Sequence, residues 1–314
     1  MNEQNRSARF LRARMATAFL GLCLAAGGAS ARSHAAPPAL DAKIITDASG
    51  AAATTTPDGI VKIGWARTDV VVTVDGMKLP PAAGLGSWAA FAPMGKGVMV
   101  MGDTVVFEDE VDAAMDAAFA HGLRVTALHN HFFHDTPKVY FMHIGGKGKP
   151  EVLAESVKAV WTAIRAVRSA HAQPATRFGG DVPTAGHVDA AAVGKILGQP
   201  ATDTQGVAKI TIGRNATMMG VPVGGSMGLT TWAAFSGNDA LAAIDGDFIM
   251  TAEEVQPVLR ALRKGGLHIV ALHNHMMDVR PAFFFTHFWG TGKAADLAHA
   301  FRAALDAQAA VKKS

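Results

Sequence analysis

The sequence of 314 residues predicts an α+β fold built from two tandem homologous repeats that are related by a pseudo-twofold axis. Two segments, Trp-Ala-Ala-Phe at 88–91 and Leu-His-Asn-His at 128–131, return 144 residues later at 232–235 and 272–275. Each copy has the pattern of several strands followed by a helix, a hairpin and a second helix. Each repeat is therefore predicted to be an antiparallel sheet with helices packed on one face.

The elements of the first repeat follow from the spacing of its apolar residues. Alternating or β-branched runs predict strands, and Asp75-Gly76 between two of them is typical of a hairpin turn. After Glu108 the apolar residues recur at intervals of three and four, which predicts a helix with acidic residues at its positive end. The predicted elements are a helix at 40–45, strands at 60–63, 70–74, 87–91 and 98–101, a helix at 108–121, strands at 123–128 and 139–144, and a helix at 151–168.

Composition divides the chain into four segments. Residues 1–35 are predicted to be a signal peptide, because four arginines between Arg6 and Arg14 precede an apolar run and a small-residue cleavage site. The apolar run is about half of the ~20 residues that a membrane span needs, so the protein is not expected to be transmembrane. The predicted segments are the signal peptide at 1–35, repeat 1 at 36–169, a Gly- and Pro-rich linker at 170–186 and repeat 2 at 187–314.

The signal segment predicts an exported protein of the periplasm or the medium. The one cysteine, Cys23, lies inside the apolar run and follows Leu22, a poor context for lipidation, so a lipid anchor is not expected. Five of the 29 Lys and Arg residues and one of the 26 Asp and Glu residues precede Ala36, so the remaining chain has a net charge of −1. This balance gives no reason to expect a nucleic-acid partner.

Three histidines in each repeat form the main candidate site. His129 and His131 are two residues apart at the end of a predicted strand, so their side chains share a face. A tight hairpin centred on Pro137 places His143 directly opposite His131, with the opposed Cβ atoms ~5 Å apart. Three imidazoles at such spacings can converge on one ion. The candidate metal ligands are His129, His131 and His143 in repeat 1 and His273, His275 and His287 in repeat 2.

The expected cofactor is a divalent metal. With Cys23 in the signal segment no thiolate is available, and three imidazoles that leave one position open favour zinc. Copper, iron and manganese also fit, and Met276-Met277 beside His275 favours copper if thioethers take part, although methionine more often fills cores. Aromatic residues around the histidines, such as Phe132, make a small-molecule ligand a second expected partner.

Two aspartates are the candidate catalytic residues. Asp103 and Asp247 follow glycine at the ends of matching strands, where a carboxylate can act as a fourth ligand or a base, or can cap its own backbone. His134 and Asp278 are secondary candidates, because a regular strand turns their even-numbered positions to the opposite face. Arg67 and Arg214 are expected to form structural ion pairs, with an anionic ligand as the alternative, and Glu254 is expected to cap a helix. Asn130 and Asn274 are expected to order the strand edge or to support the site from behind.

Three segments together resemble the LppY/LpqO family of exported bacterial proteins. They are Gly-Ser-Trp-Ala-Ala-Phe at 86–91, Val-Met-Gly-Asp at 100–103, and Ala-Leu-His-Asn-His at 127–131 with His143. The resemblance covers both repeats and implies export. Members of the family are often lipoproteins, and the context of Cys23 departs from that pattern. The resemblance implies no activity, substrate or catalytic residue.

Three functions fit the sequence. The first is an exported protein that binds a divalent metal through a His-x-His plus His triad in each repeat, with metal-dependent hydrolysis as its reaction. The second is a protein that buffers or delivers zinc or copper without turnover. The third is a duplicated structural or ligand-binding module whose histidines serve the fold. An open coordination site with an acid in reach favours an enzyme, whereas a closed site joined by methionine favours metal handling.

Overall fold

The structure is a computed structural model that describes residues 39–311. The predicted signal peptide, including Cys23, lies outside the described residues. The helices of the described part are α1 Ala42–Ser49, α2 Val111–Ala120, α3 Pro150–Ala170, α4 Ala190–Leu197, α5 Ala252–Lys264 and α6 Ala294–Val311. None of them is long and apolar enough to cross a membrane.

The strands occur in the same order in both halves of the chain. In repeat 1 they are β1 Thr54–Thr55, β2 Val61–Ala66, β3 Thr73–Val74, β4 Met77–Lys78, β5 Gly86–Met94, β6 Gly97–Phe107, β7 Arg124–Asn130, β8 Asp135–Thr136 and β9 Val139–Gly148. In repeat 2 they are β10 Thr202–Thr204, β11 Val207–Gly213, β12 Ala216–Met218, β13 Val221–Val223, β14 Thr230–Gly237, β15 Ala242–Met250, β16 His268–His273, β17 Val279–Arg280 and β18 Phe284–Gly292.

Both repeats contribute to a single twelve-stranded sheet. Its order is β1-β2-β5-β6-β9-β7-β16-β18-β15-β14-β11-β10. The six strands counted inwards from one edge are equivalent, in the same order, to the six counted inwards from the other edge. The repeats join through β7 and β16, where Leu128 pairs with Leu272. These two leucines are equivalent residues, and directly paired residues of antiparallel strands share a face. The pseudo-twofold axis therefore passes between them, perpendicular to the sheet.

Side chains of the second repeat stabilise the junction between the repeats. The amide of Gln256 accepts a hydrogen bond from the backbone N–H of Val125 at 3.1 Å and donates one to its carbonyl at 2.6 Å. The β7–β9 register shifts between Val125 and Ala127, so Gln256 satisfies backbone groups beside this bulge. Arg263 binds the carboxylate of Asp116 through two nitrogens, at 2.8 and 3.0 Å.

The two faces of the large sheet are covered differently. The helices pack on one face in one continuous core, which includes Met115, Trp161, Phe248 and Phe301. The opposite face, here called the open face, carries a three-stranded sheet in each repeat, β4-β3-β8 and β13-β12-β17. The small cores beneath these sheets include Phe141 in repeat 1 and Phe285 in repeat 2. The predicted arrangement of helices on one face is confirmed.

The expected register of the histidine hairpin is wrong. His143 pairs with Ala127, and His129 pairs with Phe141, whereas His131 lies beyond the end of β7. The reason is that the connecting segment does not turn tightly around Pro137. Its residues Asp135–Thr136 instead leave the large sheet and pair with β3. Repeat 2 has the same register, with His287 opposite Ala271 and His273 opposite Phe285.

Candidate metal centres

The histidines of repeat 2 come together in spite of the changed register. His273 ends β16, His275 follows it, and His287 lies within β18 on the open face. One ring nitrogen from each of the three lies within 4.8 Å of the other two, and within the described part of the chain no other group of three His, Cys, Asp or Glu residues is this close. The ring centres of His273 are 5.1 Å from His275 and 5.0 Å from His287.

A carboxylate completes this cluster. Asp247 in β15 is directly opposite His287 in β18, and its side chain is 5% exposed. Oδ2 of Asp247 is 3.3 Å from Nε2 of His275. The other oxygen, Oδ1, is buried without a hydrogen-bond partner among the described residues. Because burying a charged oxygen without a partner is unfavourable, we expect a cation or a bound water next to Oδ1 of Asp247.

Backbone carbonyls fix the orientation of two of these rings. Nδ1 of His273 is 3.3 Å from the carbonyl of Asn274, and Nδ1 of His287 is 3.1 Å from the carbonyl of Gly246. A ring that donates its Nδ1–H to such a carbonyl presents an unprotonated Nε2, as is common for metal-binding histidines. His275 is held differently, because its ring stacks on Phe285 with the centres 3.5 Å apart.

The equivalent cluster in repeat 1 is similar but looser. His129 lies 5.1 Å from both His131 and His143 by ring centres, and His131 stacks on Phe141 at 3.3 Å. Asp103 is opposite His143, with 3.8 Å between its Oδ1 and Nε2 of His143. That Oδ1 is also buried without a hydrogen-bond partner among the described residues. Both repeats thus place three imidazoles and one buried carboxylate on the open face.

Burial shifts the pKa of three of these groups. Partial desolvation, and then repulsion from His273 and His287, lowers the pKa of the His275 imidazole to about 4. Desolvation likewise lowers the pKa of His131. Desolvation raises the pKa of the Asp247 carboxyl, while His287 and His273 act in the opposite direction. His275 is consequently neutral at pH 7, which is the protonation state that binds metal.

The other predicted polar residues lie apart from the clusters or have structural roles. Arg67 binds both carboxylate oxygens of Glu110 at 2.8 Å, and Arg214 contacts Glu254, so the expected ion pairs are confirmed. The predicted capping box of Thr251 and Glu254 is also confirmed.

Two further pairs of candidates lie in the connecting loops or at strand ends. His134 and Asp278 are exposed, with positive φ angles of 58° and 54°. Asn130 donates to the carbonyl of Phe132 at 2.9 Å. The two methionines that follow His275 differ in exposure. Met276 packs against the small core of repeat 2, whereas Met277 is 79% exposed.

Sequence reasoning missed the ring-stacking role of Phe141 and Phe285. Both phenylalanines were expected only as apolar walls near the histidines, because their position beneath His131 and His275 depends on the register. It also missed the carbonyl of Gly246 as a partner of His287. The signal for this contact was the Gly-Asp pair that occurs in both repeats at 102–103 and 246–247.

Comparisons with solved structures give only distant matches. A trimeric bacterial microcompartment shell protein, PduB, is 11% identical over 81% of this chain and 89% of its own, with a TM-score of 0.19. EtuB from Clostridium kluyveri is 9% identical over 83% and 91%, with a TM-score of 0.22. The fused permuted hexameric shell protein MSM0275 from the RMM microcompartment is 12% identical over 70% and 88%, with a TM-score of 0.17. These likenesses carry no argument about this chain.

Sequence comparison is more informative. No curated protein matches the chain. A family model described as a Domain of Unknown Function (DUF1259) matches twice, at residues 43–163 and 191–307, which cover most of the two repeats. The chain therefore belongs to this family of unknown function, with two copies of its domain.

Proposed function

We propose that the protein binds a divalent metal on the open face of its sheet, with zinc as the best-fitting ion. The observation that carries this proposal is Asp247, whose Oδ2 lies 3.3 Å from Nε2 of His275 and whose buried Oδ1 has no partner in the described part of the chain. A cation bound by His273, His275 and His287 would supply the missing interaction. The cluster of His129, His131, His143 and Asp103 is proposed as a second site of the same kind.

The spacing of the ligand atoms supports zinc in repeat 2. In a tetrahedral zinc site with ligand distances of about 2.0–2.1 Å, neighbouring ligand atoms lie about 3.3–3.4 Å apart. The 3.3 Å between Nε2 of His275 and Oδ2 of Asp247 equals that spacing. The three imidazoles fall within the wider limit of 4.8 Å, so binding would draw His273 and His287 inwards. In repeat 1 the carboxylate–imidazole spacing is 3.8 Å, which predicts weaker binding.

Metal-dependent hydrolysis is the reaction that this ligand set supports best. Zinc held by the three imidazoles and Oδ2 of Asp247 would have to accept water as a fifth ligand, and it would lower the pKa of that water towards about 7. Oδ1 of Asp247, which is not a ligand in this arrangement, would accept the proton of that water. The test is hydrolysis of 4-nitrophenyl acetate and 4-nitrophenyl phosphate by the zinc-loaded protein. We expect turnover of one ester that Asp247→Asn abolishes, and equal rates with and without the protein would contradict the enzymatic proposal.

Metal handling without turnover is the second candidate, and exposed methionines in repeat 1 favour it. Met99 and Met101 are 46% and 50% exposed and alternate with Asp103 along β6, so they share its face. Thioethers beside imidazoles suit copper. The distinguishing measurement is a competition titration with Cu(I) and Zn(II). A preference for Cu(I) that Met99→Leu and Met101→Leu reduce would identify copper handling.

Export and membership of the LppY/LpqO family are part of the same proposal. The predicted signal segment and the residues that resemble this family support both. Export predicts a processed protein that begins near Arg32 or Ala36 and lacks an acylated Cys23. N-terminal sequencing of the protein from a cell fractionation would test this, and an intact Met1 would contradict export.

A further inference from the structure

A cavity of about 660 Å³ lies beside the second histidine triad. Its walls come from β14, β15, β16 and β18 of repeat 2, from β9, the start of α2 and the residues just before it in repeat 1, and from the segment 175–183 that connects the repeats. His287 is the one member of the triad that lines it. The volume lies within the range of about 300–1,000 Å³ that is typical of small-molecule sites.

The connecting segment 175–183 closes the cavity on one side. The backbone N–H of Ala175 donates to the carboxylate of Asp109 at 3.0 Å, which holds the start of the segment. Further along, Phe178 stacks on His268, with the ring centres 3.7 Å apart and the planes inclined by 8°. These contacts fix the segment over repeat 2. The corresponding histidine position in repeat 1 is Arg124, which offers no ring for such stacking.

The sheet wall of the cavity differs from its counterpart in repeat 1. Asp245 pairs directly with Trp289, whereas the equivalent residues in repeat 1 are the pair of Met101 and Gly145. Repeat 2 thus has a carboxylate and a large aromatic ring where repeat 1 has a thioether and no side chain. Trp232 adds a second aromatic wall, and its equivalent is Trp88.

The charges on the cavity wall favour a cation. Asp109 and Asp112 are already bound by Arg168 and Arg263. By contrast, the carboxylates of Glu108, Asp181 and Asp245 make no ion pair and no hydrogen bond to another residue within residues 39–311. The unpaired cations that face them are Arg177 in the wall and Lys209, whose Nζ lies 4.6 Å from the ring centre of Trp232. Lys138 also acts on Glu108, but it is already bound by Asp135. Three unpaired carboxylates against two unpaired cations leave a net charge of −1 around the cavity.

From these observations we infer that the cavity binds a small organic cation with an aromatic or apolar body. The ammonium group would contact the carboxylate of Asp245, and the body would pack against Trp232 and Trp289. Aromatic faces attract cations, and a carboxylate between them adds a charge-assisted hydrogen bond. The inference goes beyond the proposed function, because the cavity needs no metal to bind such a ligand.

The experiment uses three probes that share an indole ring and differ in charge: tryptamine, tryptophol and indole-3-acetate. Calorimetric titration of the purified protein should rank tryptamine first and indole-3-acetate last. Asp245→Asn should weaken tryptamine binding about tenfold or more and leave tryptophol within about twofold, because only the cation loses a charged partner. Equal binding of all three probes, or of none, would overturn the inference.

The two repeats supply a matched control. Trp232→Leu should weaken tryptamine binding, whereas Trp88→Leu, in the repeat without this cavity, should not. Circular dichroism of each variant checks that it is folded, and Asp245→Asn keeps the volume of the side chain. The titrations are repeated after chelation of metal with EDTA, and the same ranking is expected. A loss of affinity in Trp88→Leu equal to that in Trp232→Leu, or a ranking that disappears with the metal, would also contradict the inference.

Discussion

Asp247 and His275 lie 3.3 Å apart, from Oδ2 to Nε2, on the open face of a sheet in which Asp247 is almost fully buried. The carboxylate reaches this position from β15, whereas the imidazole comes from the loop after β16. Their approach therefore depends on the fold of the whole repeat. A buried carboxylate with one partnerless oxygen among the described residues is unfavourable by itself, and such groups are typical of functional sites.

The first prediction concerns this carboxylate. Asp247→Asn should weaken zinc binding about 10- to 100-fold, because it removes a charged group at the ion. The same change should raise the free energy of unfolding of the metal-free protein by about 1 kcal/mol or more, since it removes a buried charge that lacks a full set of partners.

Calorimetry with zinc and urea denaturation after EDTA treatment measure the two effects. Asp103→Asn is the matched control in repeat 1, and it should have the smaller effect on zinc affinity because its carboxylate is 3.8 Å from the nearest imidazole nitrogen. Unchanged zinc affinity in Asp247→Asn would contradict a role for this residue at the ion.

A second prediction concerns pH. The pKa of His275 is lowered in the folded protein from 6.5 to about 4, so the unfolded chain takes up this proton first as the pH falls. The free energy of unfolding of the metal-free protein should therefore fall between about pH 6.5 and pH 4. Above about pH 6.5 the contribution of neutral His275 to stability is fully present. His275→Gln should reduce the loss.

Urea denaturation at several pH values compares the two proteins. NMR titration of the imidazole gives the midpoint of His275 directly. A midpoint near 6.5 in the folded metal-free protein would show that burial and the neighbouring histidines do not shift the pKa of His275.

A third prediction concerns the buried ion pair of repeat 1. Arg67 is 1% exposed and holds the fully buried Glu110 through two hydrogen bonds. Arg67→Met should lower the free energy of unfolding by about 3 kcal/mol, because it removes two hydrogen bonds to a buried carboxylate that then keeps only Arg168 and the backbone N–H of Phe107.

The control is the exposed pair of Lys43 and Asp47, whose side chains are 74% and 62% exposed. Lys43→Met should leave the stability nearly unchanged, because water screens an exposed ion pair. Urea denaturation measures both variants, and equal effects would refute the structural role assigned to Arg67.

Much of the fold followed from the repeated spacing of 144 residues. The spacing showed that Asp103 is equivalent to Asp247 and that each histidine of the first triad has an equivalent in the second. The alternation of apolar residues before His129 placed that histidine at the end of a strand. The cap of Glu254 followed from a local pattern. An ion pair was expected for Arg67, but its partner Glu110, 43 residues away, was not predicted. The features that were predicted depend on neighbours that are close in sequence or on the repeat itself.

The hairpin register could not be predicted in the same way. Turn residues around Pro137 suggested a tight hairpin, but the pairing of β8 with β3 decides the path of this segment, and these strands are distant in sequence. The pairing of Leu128 with Leu272 is another long-range contact, and it converts two sheets into one. The cavity depends on where the segment 175–183 lies, which its Gly- and Pro-rich composition did not indicate.

We expect each repeat to hold its own metal ion. Replacing His273, His275 and His287 together with alanine should remove about half of the bound metal, because distant sites act independently. The matched variant, with His129, His131 and His143 replaced, should remove the other half. Urea denaturation checks that both variants remain folded.

The most direct measurement is the metal content of the purified protein and of these two triple variants by mass spectrometry. We expect up to two equivalents of metal in the unchanged protein, with zinc as the main ion, and about half of that amount in each variant. Metal-free protein after exposure to zinc, or full retention of metal by both variants, would contradict this expectation. Loss of all metal from either variant would show one shared site in place of two.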